Sequence, residues 1–299
     1  MNTILPDSRE TLVRRAAILR LISRSLAESM RSGGFRSLYR GQGIEFNGVR
    51  EYLPGDDVRT IDWNVTARMD KPYVKLFEEE RELPVFLVID RSLSMNTGSA
   101  GRSRLQTACE TGALLTLAAE QNQSPVGAVF FDGKIGFSCA PKSGKDRAML
   151  LLTHFDDIPE KTVPGSALEQ ALSGAIRLLR RKSLVFVISD FRAANWKLPF
   201  ARLAEKNDVI AIRITDPQDE NLPECGTVSF TDAETGRNML LPTSLTTFRN
   251  AWRDDNRQRL DTWKNDCLVH FGFPLVISTA DDPVRNLTRF FTTREHVQI

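Results

Sequence analysis

The sequence predicts an α/β protein: a mostly parallel sheet covered by helices on both faces. Three observations carry this. Short apolar runs recur at Val85–Ile89, Leu184–Ser189, Val209–Ile214 and Pro274–Ser278, the third interrupted by Arg213. They are rich in β-branched residues and do not alternate with polar ones, as expected of strands buried on two sides. Amphipathic stretches of helical length separate them, and strands alternating with helices become parallel neighbours. At 299 residues, 41% hydrophobic and 26% charged, the chain can bury a large core. Such usage excludes collagen, coiled coil and global disorder.

The first element is a helix from about Ser8 to Met30, opened by an Asp7/Glu10 capping box and closed by Gly33-Gly34. Leu12, Ala16, Leu19, Leu26 and Met30 recur at helical spacing, while Arg20, Arg24 and Arg31 form a basic face. That face fits a solvated side, an acidic partner or lipid headgroups. From Leu38 to about Leu83 no single period dominates, which predicts short strands, turns and one brief helix. Pro54-Gly55-Asp56-Asp57 supplies a turn. Residues 1–82 are therefore read as an N-terminal unit packing on a main domain of residues 83–299.

Within the main domain a helix from about Ser103 to Gln121 follows the first strand. Val126–Phe131 and Ile135–Cys139 flank Asp132-Gly133, a hairpin signal that adds one antiparallel strand. Helices are expected near Asp146–Phe155, Ser166–Arg180 and Asn195–Lys206. A hairpin is inserted at about residues 226–242, around Asp232 to Gly236. A long helix at about Ser244–Asp266 precedes the last strand, and Asp282-Pro283 opens a closing helix.

Several function classes fall away. Lys and Arg number 40 against 38 Asp and Glu, so no polyanion-binding charge exists. No basic strip interleaves with aromatics, which argues against nucleic acid. Apolar runs such as Ala113–Ala119 fall short of the roughly 20 residues of a membrane span. Four scattered cysteines without a CxxC pair, and an N-terminus interrupted by Arg14, Arg15 and Arg20, predict a cytoplasmic protein. Ser143-Gly144-Lys145-Asp146 lacks the hydroxyl of a P-loop, and Cys139 replaces its first glycine. His154 with Asp156 and Asp157 has no ligand spacing and reads as a helix terminus.

In an open α/β sheet, ligands collect beyond the carboxyl ends of the strands. The first strand of the main domain runs into Asp90-Arg-Ser92-Leu-Ser94. That loop fits two roles: a cap for the next helix, or an oxygen-only site for a hard cation, Mg²⁺ before Ca²⁺ or Mn²⁺. A second carboxylate, Asp190, ends the strand Leu184–Ser189, and Ser166 stands at the start of an intervening helix as its N-cap candidate. A haloacid-dehalogenase-type phosphatase also places Asp after its first strand. It needs a second acid two positions on, where this chain has Ser92.

Asp90, Ser92, Ser94, Ser166 and Asp190 together resemble the metal-ion-dependent adhesion site of von Willebrand factor A-type domains, and the element order resembles that Rossmann-like fold. Ser166 departs from the Thr usual there. The resemblance implies a bridging cation completed by an acidic group of a partner. Upstream stand Gly41-x-Gly43-x-Glu45-Phe46, then Arg50-Glu51-Tyr52-x-Pro54-Gly55-Asp56-Asp57-x-Arg59-x-Ile61-Asp62-Trp63 and Ala67-Arg68. This signature resembles the bacterial family called domain of unknown function 58, whose members accompany MoxR-type AAA+ ATPases. The resemblance implies a non-enzymatic, Mg²⁺-dependent adaptor with a chaperone-like role. A metal-dependent hydrolase at the same site is the alternative. The alternating charges of Arg50, Glu51, Asp56, Asp57, Arg59, Asp62 and Arg68, with Trp63 among them, fit either a salt-bridge network pinning this layer or a docking surface.

Overall fold

The computed structural model describes residues 44–53, 56–58, 61–69, 71–79, 83–157, 163–231 and 238–295. The helix expected over Ser8–Met30 and its basic face lie outside them. The irregular segment is a short antiparallel hairpin, β1 (Ile44–Glu51) with β2 (Tyr73–Glu79), joined through helix α1 (Trp63–Met69). Strands, turns and one brief helix are what its mixed composition predicts.

A six-stranded sheet follows. Its strands are β3 (Val85–Asp90), β4 (Val126–Phe131), β5 (Ile135–Lys142), β6 (Leu184–Ser189), β7 (Asp208–Thr215) and β10 (Phe273–Ser278). The order is β10-β7-β6-β3-β4-β5, parallel throughout except for β4 with β5. Every residue of β3, β4 and β6 is buried, which is why those runs read as continuous rather than alternating.

The period of two along each strand divides the core between the two faces. Val85, Leu87 and Ile89 face α2 (Arg104–Gln121), α3 (Lys145–Asp156) and α8 (Pro283–Glu295). Phe86 and Val88 face α4 (Leu168–Leu178), α5 (Lys197–Ala204) and α7 (Thr246–Val269). Fully burying each such Phe or Leu contributes about 1.5–3 kcal/mol. At Gly112 on α2 a Cβ would stand 2.5 Å from the Phe155 ring of α3, so that packing requires glycine.

The inserted hairpin is present as β8 (Thr227–Thr231) and β9 (Asn238–Pro242). A four-residue helix α6 (Pro217–Glu220), which period alone does not signal, precedes it. Its start is fixed by Asp216, whose side chain accepts Gln218 N–H at 3.0 Å, and by Pro217 in the first turn. Among the described residues no helix is long and apolar enough to cross a membrane. All four cysteines are free thiols.

Candidate functional site

β3 is the switch point of the sheet: the chain leaves it for β4 on one side and returns to β6 on the other. Beyond such a point the loops diverge and leave a crevice at the carboxyl ends of the strands. Asp90 is the last residue of β3, and Ser189-Asp190 ends the adjacent β6.

Asp90 is 1% exposed and held on both oxygens. Oδ1 accepts the Ser92 N–H at 2.9 Å, and Oδ2 accepts the Ser189 hydroxyl at 2.5 Å. Ser92 and Ser94 are buried, with hydroxyl oxygens 3.1 Å apart. They belong to a 3-10 turn, Leu93–Asn96, at which Ser92 makes no side-chain cap bond. The cap of α2 is Ser103, which accepts Gln106 N–H at 3.1 Å while its own N–H meets Gln106 Oε1 at 2.8 Å. Capping is therefore not what the Asp90–Ser94 loop does.

Asp190 is 3% exposed. Its Oδ1 accepts the Arg192 N–H at 3.1 Å, whereas Oδ2 is buried without a hydrogen-bond partner. The next residue, Phe191, has φ 54°, the left-handed region that bulky side chains rarely enter. Two contacts hold it there. Its N–H donates to Ser189 Oγ at 2.9 Å, and its ring lies 5.2 Å from both Trp196 and Trp263. Such backbone strain collects where a loop must present a neighbouring side chain.

Ser166 corrects one expectation. It is not the N-cap of α4; Ala167 is, and it lends no side chain. The reason is a clamp by Asp132 on the loop before the helix. Ala167 N–H donates to the Asp132 carbonyl at 2.7 Å and Val163 N–H to Asp132 Oδ2 at 3.0 Å. Gly133 closes the contact, since a Cβ there would meet the Pro164 carbonyl at 2.2 Å. The clamp fastens the Ser166 loop to the end of β4, beside β3, and leaves Ser166 Oγ buried without a hydrogen-bond partner. Sequence reasoning takes Asp132-Gly133 only as a turn. Its side-chain role depends on a loop 31 residues away and has no local signal.

The electrostatics follow from two carboxylates in a dry crevice. Burial, and then the charge of Asp190, push the Asp90 carboxyl up to about 7. The donor set is carboxylate and hydroxyl oxygen only, with two buried oxygens, Ser166 Oγ and Asp190 Oδ2, left unbonded. Such a set fits a hard divalent cation. Among the described residues, this crevice included, no group of three or more His, Cys, Asp or Glu side chains is placed to hold a metal, so any cation here would rest on two carboxylates and the serine hydroxyls. His154 stacks on Phe137 with centroids 3.8 Å apart and faces Asp157 at 3.6 Å, at the end of α3.

Arg50 binds Asp56 through two bonds of 2.7 Å, and Asp56 also accepts Leu53 N–H at 2.9 Å. Glu51 pairs with Lys71 at 3.0 Å. Asp62 accepts Asn64 and Val65 N–H at 3.0 and 3.3 Å, at the start of α1. Each of these contacts closes within the segment. Asp57 and Arg68 are exposed, Trp63 is 67% exposed, and Arg59 lies outside the described residues.

Over residues 48–261 the chain matches the family described as protein of unknown function DUF58. The chain belongs to that family. Its mostly parallel sheet between two helical layers has the von Willebrand A-like arrangement that the sequence predicts. An uncharacterized protein of Mycobacterium tuberculosis is 32% identical over 227 residues, covering 74% of this chain and 71% of that one. Another from Mycobacterium avium is 30% identical over 161 residues, 51% of this chain and 91% of that one. Among solved structures, conserved hypothetical protein BatB from Bacteroides thetaiotaomicron is similar at a TM-score of 0.44 and 15% identity, covering 71% of this chain and 98% of that one. The SpRpn10 VWA domain is similar at 0.38 and 12%, covering 70% and 95%.

Proposed function

We propose that this protein is a non-enzymatic, metal-dependent adaptor that holds an acidic group of a partner at the β3–β6 edge. Two buried oxygens that make no hydrogen bond carry the reading: Asp190 Oδ2 at that edge, and Ser166 Oγ on the loop fastened to the end of β4. Unsatisfied buried acceptors are costly, and a site that keeps them is shaped for something it binds. Asp90, Ser92 and Ser94 would hold Mg²⁺ or Mn²⁺, with Ser166 and Asp190 contributing directly or through water. A hard cation there supplies a coordination position for a carboxylate of the partner. Ser189 and Ser92 N–H keep the Asp90 carboxylate oriented, and the Asp132 clamp keeps the Ser166 loop against β4.

The family resemblance points to a MoxR-type AAA+ ATPase as that partner, in chaperone-like maturation of other proteins. Exposed Leu53, Val58, Trp63 and Met69 on the signature segment offer it a second contact. Calorimetric titration of Mg²⁺ and Mn²⁺ into wild type and a Ser92→Ala/Ser94→Ala variant tests the site. Saturable binding lost in the variant is expected; no binding in wild type sinks the metal reading. Co-precipitation with the ATPase in its apo, ADP and ATP states tests the partner, and absence in every state sinks that half. Phosphatase turnover that Asp90→Ala abolishes would move the protein to the hydrolase class.

A further inference from the structure

Arg192 stands two residues beyond the second carboxylate, between two acids. Its Nε lies 3.6 Å from Asp190 Oδ2, close enough for an ion pair but too long for a hydrogen bond. Its Nη2 donates to Asp219 Oδ1 at 3.1 Å, and the same oxygen takes Arg104 Nη2 at 2.7 Å. The side chains grade from buried to open: Asp190 is 4% exposed, Asp219 18% and Arg192 46%. A guanidinium thus sits at the mouth of the site, over the carboxylate oxygen that nothing else satisfies. A second guanidinium, Arg213, also lies within electrostatic reach of Asp190, and it stands over the Trp263 ring at 5.6 Å.

A cation site with a fixed positive charge beside one ligand carries a standing opponent. While that charge neutralises Asp190, it lowers the cost of leaving the carboxylate buried and empty. Once a divalent ion arrives, the same charge repels it across a few ångströms of partly dry space. Asp219 works the other way, because it draws the Arg192 guanidinium off Asp190 and cancels part of its charge. We infer that Arg192 is the resident counter-cation of this site, competing with a divalent ion for Asp190, and that Asp219 sets how strongly it competes. The inference rests on the metal reading above and adds the residues that tune its affinity. Arg192 is thus a positioning residue, acting through Asp190.

Three substitutions separate this from a structural role, read by Mn²⁺ titration with calorimetry and by the loss of the free Mn²⁺ electron paramagnetic signal. Arg192→Gln removes the charge and should tighten Mn²⁺ about tenfold, the order expected of one unit charge at that distance after screening. Arg192→Lys keeps the charge and should bind as wild type does. Asp219→Asn leaves two guanidinium groups with one acid fewer and should weaken Mn²⁺ severalfold. The wild-type to Arg192→Gln gap should narrow as salt rises from 50 to 500 mM, roughly as the Debye length shortens. Equal or weaker binding by Arg192→Gln, with wild type still binding, overturns the inference and leaves the metal site standing. Binding by Arg192→Gln alone overturns the metal reading of the native protein, and the inference with it. No Mn²⁺ binding in any of the four proteins overturns both readings at once.

Discussion

The Ser189 hydroxyl donates to Asp90 Oδ2 at 2.5 Å, tying together the ends of two neighbouring parallel strands. The same oxygen of Ser189 accepts Phe191 N–H at 2.9 Å. One serine therefore orients the first carboxylate and shapes the turn that presents the second. With Oδ1 also held by Ser92 N–H, the Asp90 carboxyl has no freedom to rotate away from Asp190. The repulsion between them is built in.

That repulsion has a pH signature. Asp90 titrates near 7 in the folded chain, driven up by burial and then by Asp190, against about 3.9 for an unfolded Asp. Above 3.9 the unfolded state loses this proton first, so the folded state binds more protons and stability falls as pH rises. The fall runs from about pH 4 to about pH 7 and then levels. In chelator, thermal melts should show the Tm dropping across that window. Asp90→Asn should flatten the slope and raise the Tm at pH 8, while abolishing any rise caused by Mn²⁺. A Tm that climbs between pH 4 and 7 by the same amount in both proteins would show that Asp90 does not titrate there.

Asp132 offers a test of the clamp. Its side chain accepts Lys134 N–H at 2.9 Å and Val163 N–H at 3.0 Å, and it is 8% exposed. Asp132→Ala removes a charged acceptor from both and should cost about 2–4 kcal/mol in urea unfolding. Because the lost bonds hold the Ser166 loop, Mn²⁺ affinity should fall as well. Unchanged affinity in a folded variant would remove Ser166 from the ligand set.

The sheet was legible because its central strands, β3, β4 and β6, are buried on both sides and so carry an unbroken apolar signal. β3 and β6 fall within a residue of the expected runs. The Asp90–Ser94 loop and the strand-end Asp190 were legible for the same reason, since strand ends locate themselves once strands do. Arg192, Asp219, Asp132 and Ser189 were not. Each has a partner distant in the chain, 27 residues for Arg192 with Asp219, 31 for Asp132 with Val163 and 99 for Ser189 with Asp90, and no spacing rule relates them. Ser166 was found by position but assigned a cap that the Asp132 clamp hands to Ala167.

The signature segment separates stability from recognition. Arg50 and Asp56 meet through two bonds of 2.7 Å, and their side chains are 40% and 21% exposed. Solvent-screened pairs of this kind add little to folding. Arg50→Ala should therefore leave the Tm and the circular dichroism spectrum unchanged. If the exposed face around Trp63 contacts the ATPase, Trp63→Ala should abolish co-precipitation from an equally folded protein. Loss of fold in Arg50→Ala would instead assign these charges a structural task.

Phe191 gives a comparison whose order runs against habit. Its ring is 7% exposed and sits between Trp196 and Trp263, so Phe191→Ala should cost about 3–5 kcal/mol. Glycine in place of alanine ordinarily costs a further 0.5–1 kcal/mol, roughly, through the freedom it gives the unfolded chain. At φ 54° the balance reverses, because a residue with a Cβ is held in the left-handed region at a cost of about 1–2 kcal/mol and glycine is not. Phe191→Gly should thus unfold at a urea concentration equal to or above that of Phe191→Ala, though both fall below wild type. Both variants lose the aromatic wedge that fixes the turn, so both should weaken Mn²⁺ binding through Asp190. A glycine variant clearly less stable than the alanine variant would mean that the turn does not hold its strain in solution. Asp190 would then owe its position to the sheet alone.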